Sequence, residues 1–101
     1  MITTETRYPK LNNNTKGGKL LQVYLMASFL YYRMNRSPLS DEKFDAVCGA
    51  LLTELDNFEH PHKHLVTRED LMCGTGFAIR TYPRIVMQAA QIWWDEIERS
   101  E

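Results

Sequence analysis

The sequence predicts an all-α fold, made of an αα-hairpin and a C-terminal helix in one small domain. Apolar residues recur at helical spacing in three segments, and residues typical of helix caps flank them. The chain has 101 residues, which suffices for a single domain. Its apolar and charged fractions, 44% and 25%, are those of an ordinary globular protein.

Residues 1–18 are predicted to form an irregular arm, and residues 19–101 the helical domain. The arm ends in three asparagines and the run Thr15-Lys16-Gly17-Gly18, which favours turns. The first helix, predicted over residues 19–35, is apolar on almost every face, as is typical of a helix buried on all sides. Two covers remain open, the arm folding back or a second copy of the chain. For a homodimer, we expect an interface at Leu21, Met26 and Trp94.

The second helix is predicted over residues 41–58, after a turn that contains Pro38. Ser40 is its predicted N-cap, and Asp41 and Glu42 occupy the first turn, where the helix dipole favours carboxylates. The proline after His60 ends this helix, because the residue before a proline avoids the α region. The helical stripe predicts that the following residues are buried: Phe44, Val47, Cys48, Leu51, Leu52, Leu55 and Phe58.

Two further helices are predicted towards the C-terminus. Thr67 and Asp70 resemble a capping box, so a short helix begins after Thr67 and breaks at Gly74. The last helix is predicted over residues 82–99, with Pro83 in its first turn. Trp93 lies in its apolar stripe and Trp94 at the edge of that stripe.

The segment from Leu30 to Asp45 resembles the N-terminal Ia domain of bacterial NAD-dependent DNA ligases. In that family, a Tyr-His pair ends the first helix of a hairpin, and a Ser/Pro-Asp-x-x-Tyr-Asp motif opens the second. Here the corresponding residues are Tyr31-Tyr32 and Ser40-Asp41-Glu42-Lys43-Phe44-Asp45. Glu54-Leu55 and His60-Pro61 are similar to a later Glu-Leu and His-Pro of the family, so the resemblance covers about residues 20–61.

The resemblance implies a site for the nicotinamide mononucleotide half of NAD. In the family, aromatic side chains flank the nicotinamide ring and carboxylates bind the ribose hydroxyls. The chemistry is coherent here, because Asp41 and Asp45 share one helix face and aromatic faces suit a cationic pyridinium ring. The nucleotide-binding residues implied are Tyr31, Tyr32, Asp41, Phe44 and Asp45.

The chain departs from the family at two of these positions and lacks the ligase reaction centre. Tyr32 replaces the family histidine, and Phe44 replaces a tyrosine and loses its hydroxyl. No lysine stands in the Lys-x-Asp-Gly context of a ligase nucleophile, and no other catalytic motif is complete. The alternative interpretation is purely structural, with Asp41 as a dipole partner and Tyr31 and Phe44 as hairpin core.

Other combinations of reactive residues are interpreted as structural. His60, His62 and His64 alternate, but the zinc-binding spacings are missing, so we expect no metal. A Cys73–His64 nucleophile pair would require a contact that sequence cannot establish. Net charge is −1, so nucleic acid is not expected as the main ligand. Five residues that would otherwise suit single-stranded nucleic acid are therefore interpreted as solvated or packed: Arg68, Arg80, Arg84, Tyr82 and Trp94.

The location is predicted to be the cytoplasm. Met1 to Lys10 has no apolar signal-peptide stretch, the most apolar segment is too short to span a membrane, and two cysteines form no disulfide framework.

Three functions remain after these exclusions. The first expectation is a non-enzymatic interaction protein that uses a ligase Ia-like hairpin to contact a protein partner or itself. The second is a module that binds nicotinamide mononucleotide or NAD weakly. No other cofactor is expected. The third is a small DNA-associated accessory protein. By resemblance, stand-alone Ia-like proteins are of the kind that bacteriophages carry.

Overall fold

The computed structural model describes residues 15–77 and 79–100. Within these ranges 73% of the residues are helical and there is no strand, which confirms the all-α prediction. The elements are α1 (Lys16–Met34), α2 (Asp41–Glu54), α3 (Arg68–Cys73) and α4 (Arg84–Ser100), with 3₁₀ turns at Leu55–Asn57 and Lys63–Leu65. None of these helices combines the length and the apolar character needed to cross a membrane.

The start of α1 corrects the predicted end of the arm. Thr15 is the N-cap, and its Oγ1 accepts a hydrogen bond of 2.9 Å from the Gly18 amide. Gly17 and Gly18 are helical and buried rather than part of a turn. The reason is close packing, because a Cβ at Gly17 would lie 2.2 Å from Cδ1 of Phe58. The rest of the predicted arm, residues 1–14, lies outside the described residues.

The end of α1 sets the geometry of the hairpin. Asn35 adopts the left-handed conformation, with φ of 56°, which asparagine tolerates better than most residues. The amides of Asn35 and Arg36 both bond to the carbonyl of Leu30. These bonds terminate α1 one residue before the predicted end, and the chain turns into α2.

The second helix begins as predicted and ends early. Ser40 is its N-cap, with Oγ accepting a bond of 3.2 Å from the Lys43 amide. The helix ends at Glu54, and a 3₁₀ turn replaces the last predicted residues. Phe58 is extended, with φ of −148° and ψ of 163°, and its ring packs on Gly17 of α1. This tertiary contact ends the helix before the proline effect at His60 applies.

Of the two C-terminal helices, α3 follows its predicted caps. Thr67 Oγ1 accepts from the Asp70 amide at 3.1 Å, and Gly74 closes α3 in the left-handed conformation. The last helix begins at Arg84 rather than at residue 82. Pro83 directly precedes it, and its carbonyl accepts from Met87. Tyr82 is instead buried, and its ring meets that of Phe29 edge to face with the two centroids 5.4 Å apart.

The core surrounds α1, which packs against α2 and α4, while α2 also packs against α3. Leu21, Tyr24, Leu25 and Leu30 of α1 are fully buried. Residues of the other elements complete the core: Cys48, Leu51, Leu55, Phe58, Val66, Leu71, Ile79, Tyr82, Val86 and Ala90. The buried stripe predicted for α2 is thus present, and Phe44, Val47 and Leu52 are only partly buried at its margin.

Candidate functional site

A cavity of about 290 Å³ opens where the hairpin turns. Its walls are the last turns of α1, the connection of residues 37–39, the first turn of α2 and Gly74 at the end of α3. The volume lies near the lower end of the range of about 300–1,000 Å³ typical of small-molecule sites. The cavity therefore suits a moiety of nucleoside size better than a whole dinucleotide.

Aromatic rings form one side of the cavity. The rings of Tyr31 and Tyr32 meet edge to face, with centroids 4.7 Å apart and planes at 83°. Phe44 stacks on the buried ring of Tyr24 at 5.8 Å, so its position is set by the core. Tyr31, by contrast, is 49% exposed. The site thus combines a fixed ring with an accessible one.

Two carboxylates also line the cavity. Asp41 and Asp45 are both exposed, and both line the cavity from the same face of α2. Gly74 packs closely on the second of them, since a Cβ there would lie 2.6 Å from Asp45 Oδ1. Glycine is also favoured at this position by its φ of 68°. A side chain at residue 74 would therefore both strain the backbone and displace the Asp45 carboxylate.

The loop after α3 supports the aromatic wall. Tyr24 donates a hydrogen bond of 2.7 Å to the carbonyl of Thr75, and the hydroxyls of Tyr32 and Thr75 lie 2.9 Å apart. The ring of Phe77, which is 76% exposed, meets Tyr32 at 5.7 Å. Gly74, Thr75 and Phe77 were not predicted as site residues. The only sequence signals near this loop were the Thr67 cap and Gly74, which predicted the start and the end of a short helix.

The structure brings the five predicted nucleotide-binding residues together. Each of them lines this one cavity: Tyr31, Tyr32, Asp41, Phe44 and Asp45. The three predicted interface residues do not share a free surface. Leu21 is 0% exposed within the chain, because it packs in the core, and Met26 and Trp94 are partly buried against that core.

Of the three histidines in the loop after α2, His60 is buried, His62 is partly buried and His64 is exposed. His60 is 8% exposed, and its Nδ1 accepts from the His62 amide at 3.1 Å. Burial, with a smaller contribution from His62, lowers the pKa of His60 to about 4. Burial also lowers the pKa of His62. Among the described residues, no group of three His, Cys, Asp or Glu side chains could hold a metal ion.

The arginines and aromatics considered for nucleic acid are largely engaged elsewhere. Arg68 makes a two-oxygen contact with Asp56 at 3.0 and 2.9 Å. Tyr82 is buried, so its face cannot receive a base, and burial raises its pKa to about 12. The guanidinium of Arg36 lies 5.6 Å from the Trp94 ring centre. Arg80 and Arg84 are exposed.

The cysteines differ in environment. Cys48 is buried as predicted, and this burial raises the pKa of its thiol to about 11, so it is a poor nucleophile. Cys73 is exposed at the end of α3. His64, its suggested partner, has Nδ1 at 3.0 Å from the carbonyl oxygen of Pro61.

Comparison of the chain with protein-family models, with curated protein sequences and with solved structures gave no match.

Proposed function

We propose that this chain is a non-enzymatic module that binds a nicotinamide nucleotide, gripping its nicotinamide riboside moiety in the cavity at the hairpin turn. The proposal rests on one observation: the five residues that the ligase Ia resemblance implies all line that cavity. The aromatic side offers faces to a cationic pyridinium ring. The carboxylate oxygens of Asp41 and Asp45 are suited to accept hydrogen bonds from ribose hydroxyls.

The affinity is expected to be low. One small domain encloses only part of the ligand, and the mouth of the cavity is exposed at Tyr31. We therefore expect a dissociation constant for nicotinamide mononucleotide on the order of a millimolar. Such a module would sequester its ligand or present it to a larger partner. Both cysteines are free, which is compatible with the cytoplasmic location that we propose.

Titration with nicotinamide mononucleotide, followed by amide NMR shifts, tests this function. Shifts should concentrate around Tyr31, Asp41 and Asp45, and Tyr31→Ala should weaken binding about five-fold through loss of a cation–π contact. Ile92→Ala is the matched control, since Ile92 is 39% exposed on α4 and does not line the cavity. An unchanged spectrum at about 10 mM ligand would exclude the proposal.

A second function, contact with another copy of this chain, is favoured by a separate observation. Phe77 is 76% exposed, and its ring continues the aromatic row of Tyr31 and Tyr32. Exposed aromatic side chains are typical of interface centres. Light scattering at about 0.1 mM should report a dimer mass that Phe77→Ser converts to a monomer mass. A monomer mass for the unchanged chain would exclude self-association at this surface.

A further inference from the structure

The charge of the cavity lining is one-sided. It contains two carboxylates, Asp41 and Asp45, and no Lys or Arg of residues 15–77 or 79–100. Carboxylates are negatively charged at neutral pH. An aromatic and acidic lining of this kind stabilises a cation and offers no partner to a phosphate group.

The basic residues on the neighbouring elements do not supply that partner. Arg33 donates from one guanidinium nitrogen to the carbonyls of Ile79 and Arg80, at 3.2 and 2.7 Å. Arg36, which directly precedes the lining residue Ser37, has its guanidinium over the Trp94 ring. Lys43 lies about 200° around the helix from Asp41 and from Asp45, and it does not line the cavity.

The N-terminus of α2 is a poor anion site. Its dipole would favour a phosphate, but Asp41 and Glu42 already occupy the first turn. The Lys43 amide is bonded to Ser40 Oγ. The local field near the cavity is therefore set by carboxylates.

We propose that the cavity selects a phosphate-free pyridinium nucleoside, with nicotinamide riboside as its probe, over nicotinamide mononucleotide. This inference rests on the proposed function, because it concerns the same cavity. The two ligands share the nicotinamide ring and the ribose, and they differ in net charge, +1 against −1 when the phosphate is fully ionised. Near two exposed carboxylates, Coulomb repulsion of the phosphate should weaken binding about five- to ten-fold.

The test compares three ligands on the full chain by NMR titration at low salt. They are nicotinamide riboside, nicotinamide mononucleotide and dihydronicotinamide riboside, whose ring is neutral. The oxidised riboside should bind tightest, and each of the other two about five- to ten-fold more weakly. The preference for the riboside over the mononucleotide should shrink as salt is added, because salt screens exposed charges.

Variants assign the preference to the cavity carboxylates. Asp41→Asn combined with Asp45→Asn keeps the shape of the cavity and removes both charges. Nicotinamide riboside and nicotinamide mononucleotide should then bind about equally. Glu42→Gln is the matched control, since Glu42 is an exposed carboxylate of the same turn that does not line the cavity. In this control the preference should remain about five-fold or more.

The outcomes separate this inference from the proposed function. Equal or tighter binding of nicotinamide mononucleotide by the unchanged chain would overturn the charge selection and leave the proposed function standing. A preference that survives removal of both carboxylates would also overturn it. Absence of binding by all three ligands, with shifts for none of the lining residues, would overturn both proposals together.

Discussion

The two ends of α1 are built in opposite ways. At the N-terminal end, Gly17 packs on Phe58, and the adjoining loop buries the ring of His60. At the C-terminal end, Tyr31 and the carboxylates of α2 line an open cavity. In the sequence, both regions contain several polar side chains close together: the histidines after α2, and the tyrosines and aspartates around the hairpin turn. What distinguishes them is whether those side chains face the protein or the solvent.

Burial separates a polar group that is part of the core from one that solvent can reach. The histidine loop offers imidazole nitrogens, but His60 Nε2 and His62 Nδ1 are buried and find no partner in the described part of the chain. Their burial favours the neutral form. In the cavity, by contrast, Tyr31, Asp41 and Asp45 are exposed to solvent. Three substitution experiments sharpen this contrast.

The largest expected effect is a loss of stability in acid that depends on His60. The pKa of His60 is about 4 in the folded chain against an ordinary value of 6.5. Between these pH values His60 is protonated in the unfolded chain but neutral in the folded chain. The free energy of unfolding therefore falls as the pH falls from 6.5 towards 4. His60→Leu should lessen the loss between pH 7 and 4 by about 3 kcal/mol, measured by urea unfolding at each pH.

The control for this experiment is His64→Gln, because His64 is exposed. It should leave the pH dependence of the free energy of unfolding almost unchanged. Some acid sensitivity will persist in His60→Leu, since the pKa of His62 is also lowered. Parallel pH curves for His60→Leu and the unchanged chain would mean that the His60 ring is hydrated in solution.

The next effect compares two helical glycines. A Cβ at Gly17 would lie 2.2 to 2.6 Å from three atoms of the Phe58 ring, whereas a Cβ at Gly49 meets nothing within 4 Å. Gly17→Ala should destabilise by about 2 kcal/mol through overpacking. Gly49→Ala should stabilise by about 0.5–1 kcal/mol, since alanine is the better helix former. Thermal unfolding measures both effects. Equal shifts of the melting temperature in the two variants would contradict close packing of Gly17 on Phe58 at the N-terminal end of α1.

The smallest effect concerns two buried tyrosines, of which only one supports the cavity wall. Tyr24 donates to the Thr75 carbonyl, while the Tyr82 hydroxyl is buried without a partner among the described residues. Tyr24→Phe should destabilise by about 1 kcal/mol, and Tyr82→Phe should be neutral or slightly stabilising. Hydrogen exchange of the Thr75 and Phe77 amides should also rise in Tyr24→Phe. Unchanged exchange would show that this bond does not hold the loop.

Local signals in the sequence predicted much of the helical framework. Ser40 and Thr67 cap their helices as expected, because an N-cap is a contact between residues three apart. The stripe of α2 correctly identified Cys48 and Leu51 as buried, because helical period and burial are linked by geometry alone. The resemblance of residues 30–45 to the ligase Ia motif implied which side chains meet at the turn, and all five of them line the cavity.

Long-range packing accounts for the features that were missed. Gly17 and Gly18 read as turn residues, but both are helical, and the ring of Phe58 occupies the space that a side chain at Gly17 would need. Leu21 was predicted at an interface because α1 is apolar all round, yet the chain itself covers this side chain completely. No local pattern reveals that residues far along the chain supply the cover.

The sequence by itself determined the helix types, most of their caps and the buried face of α2, because these depend on contacts within a few residues. The resemblance to the ligase Ia domain, not local geometry, pointed to the five side chains that line the cavity. Only the tertiary structure decided that His60 is buried and that Gly74 abuts Asp45. It also decided that Arg33 and Arg36 bind elsewhere and leave an acidic cavity. The charge of a cavity depends on which distant side chains reach it, and that follows from packing rather than from sequence spacing.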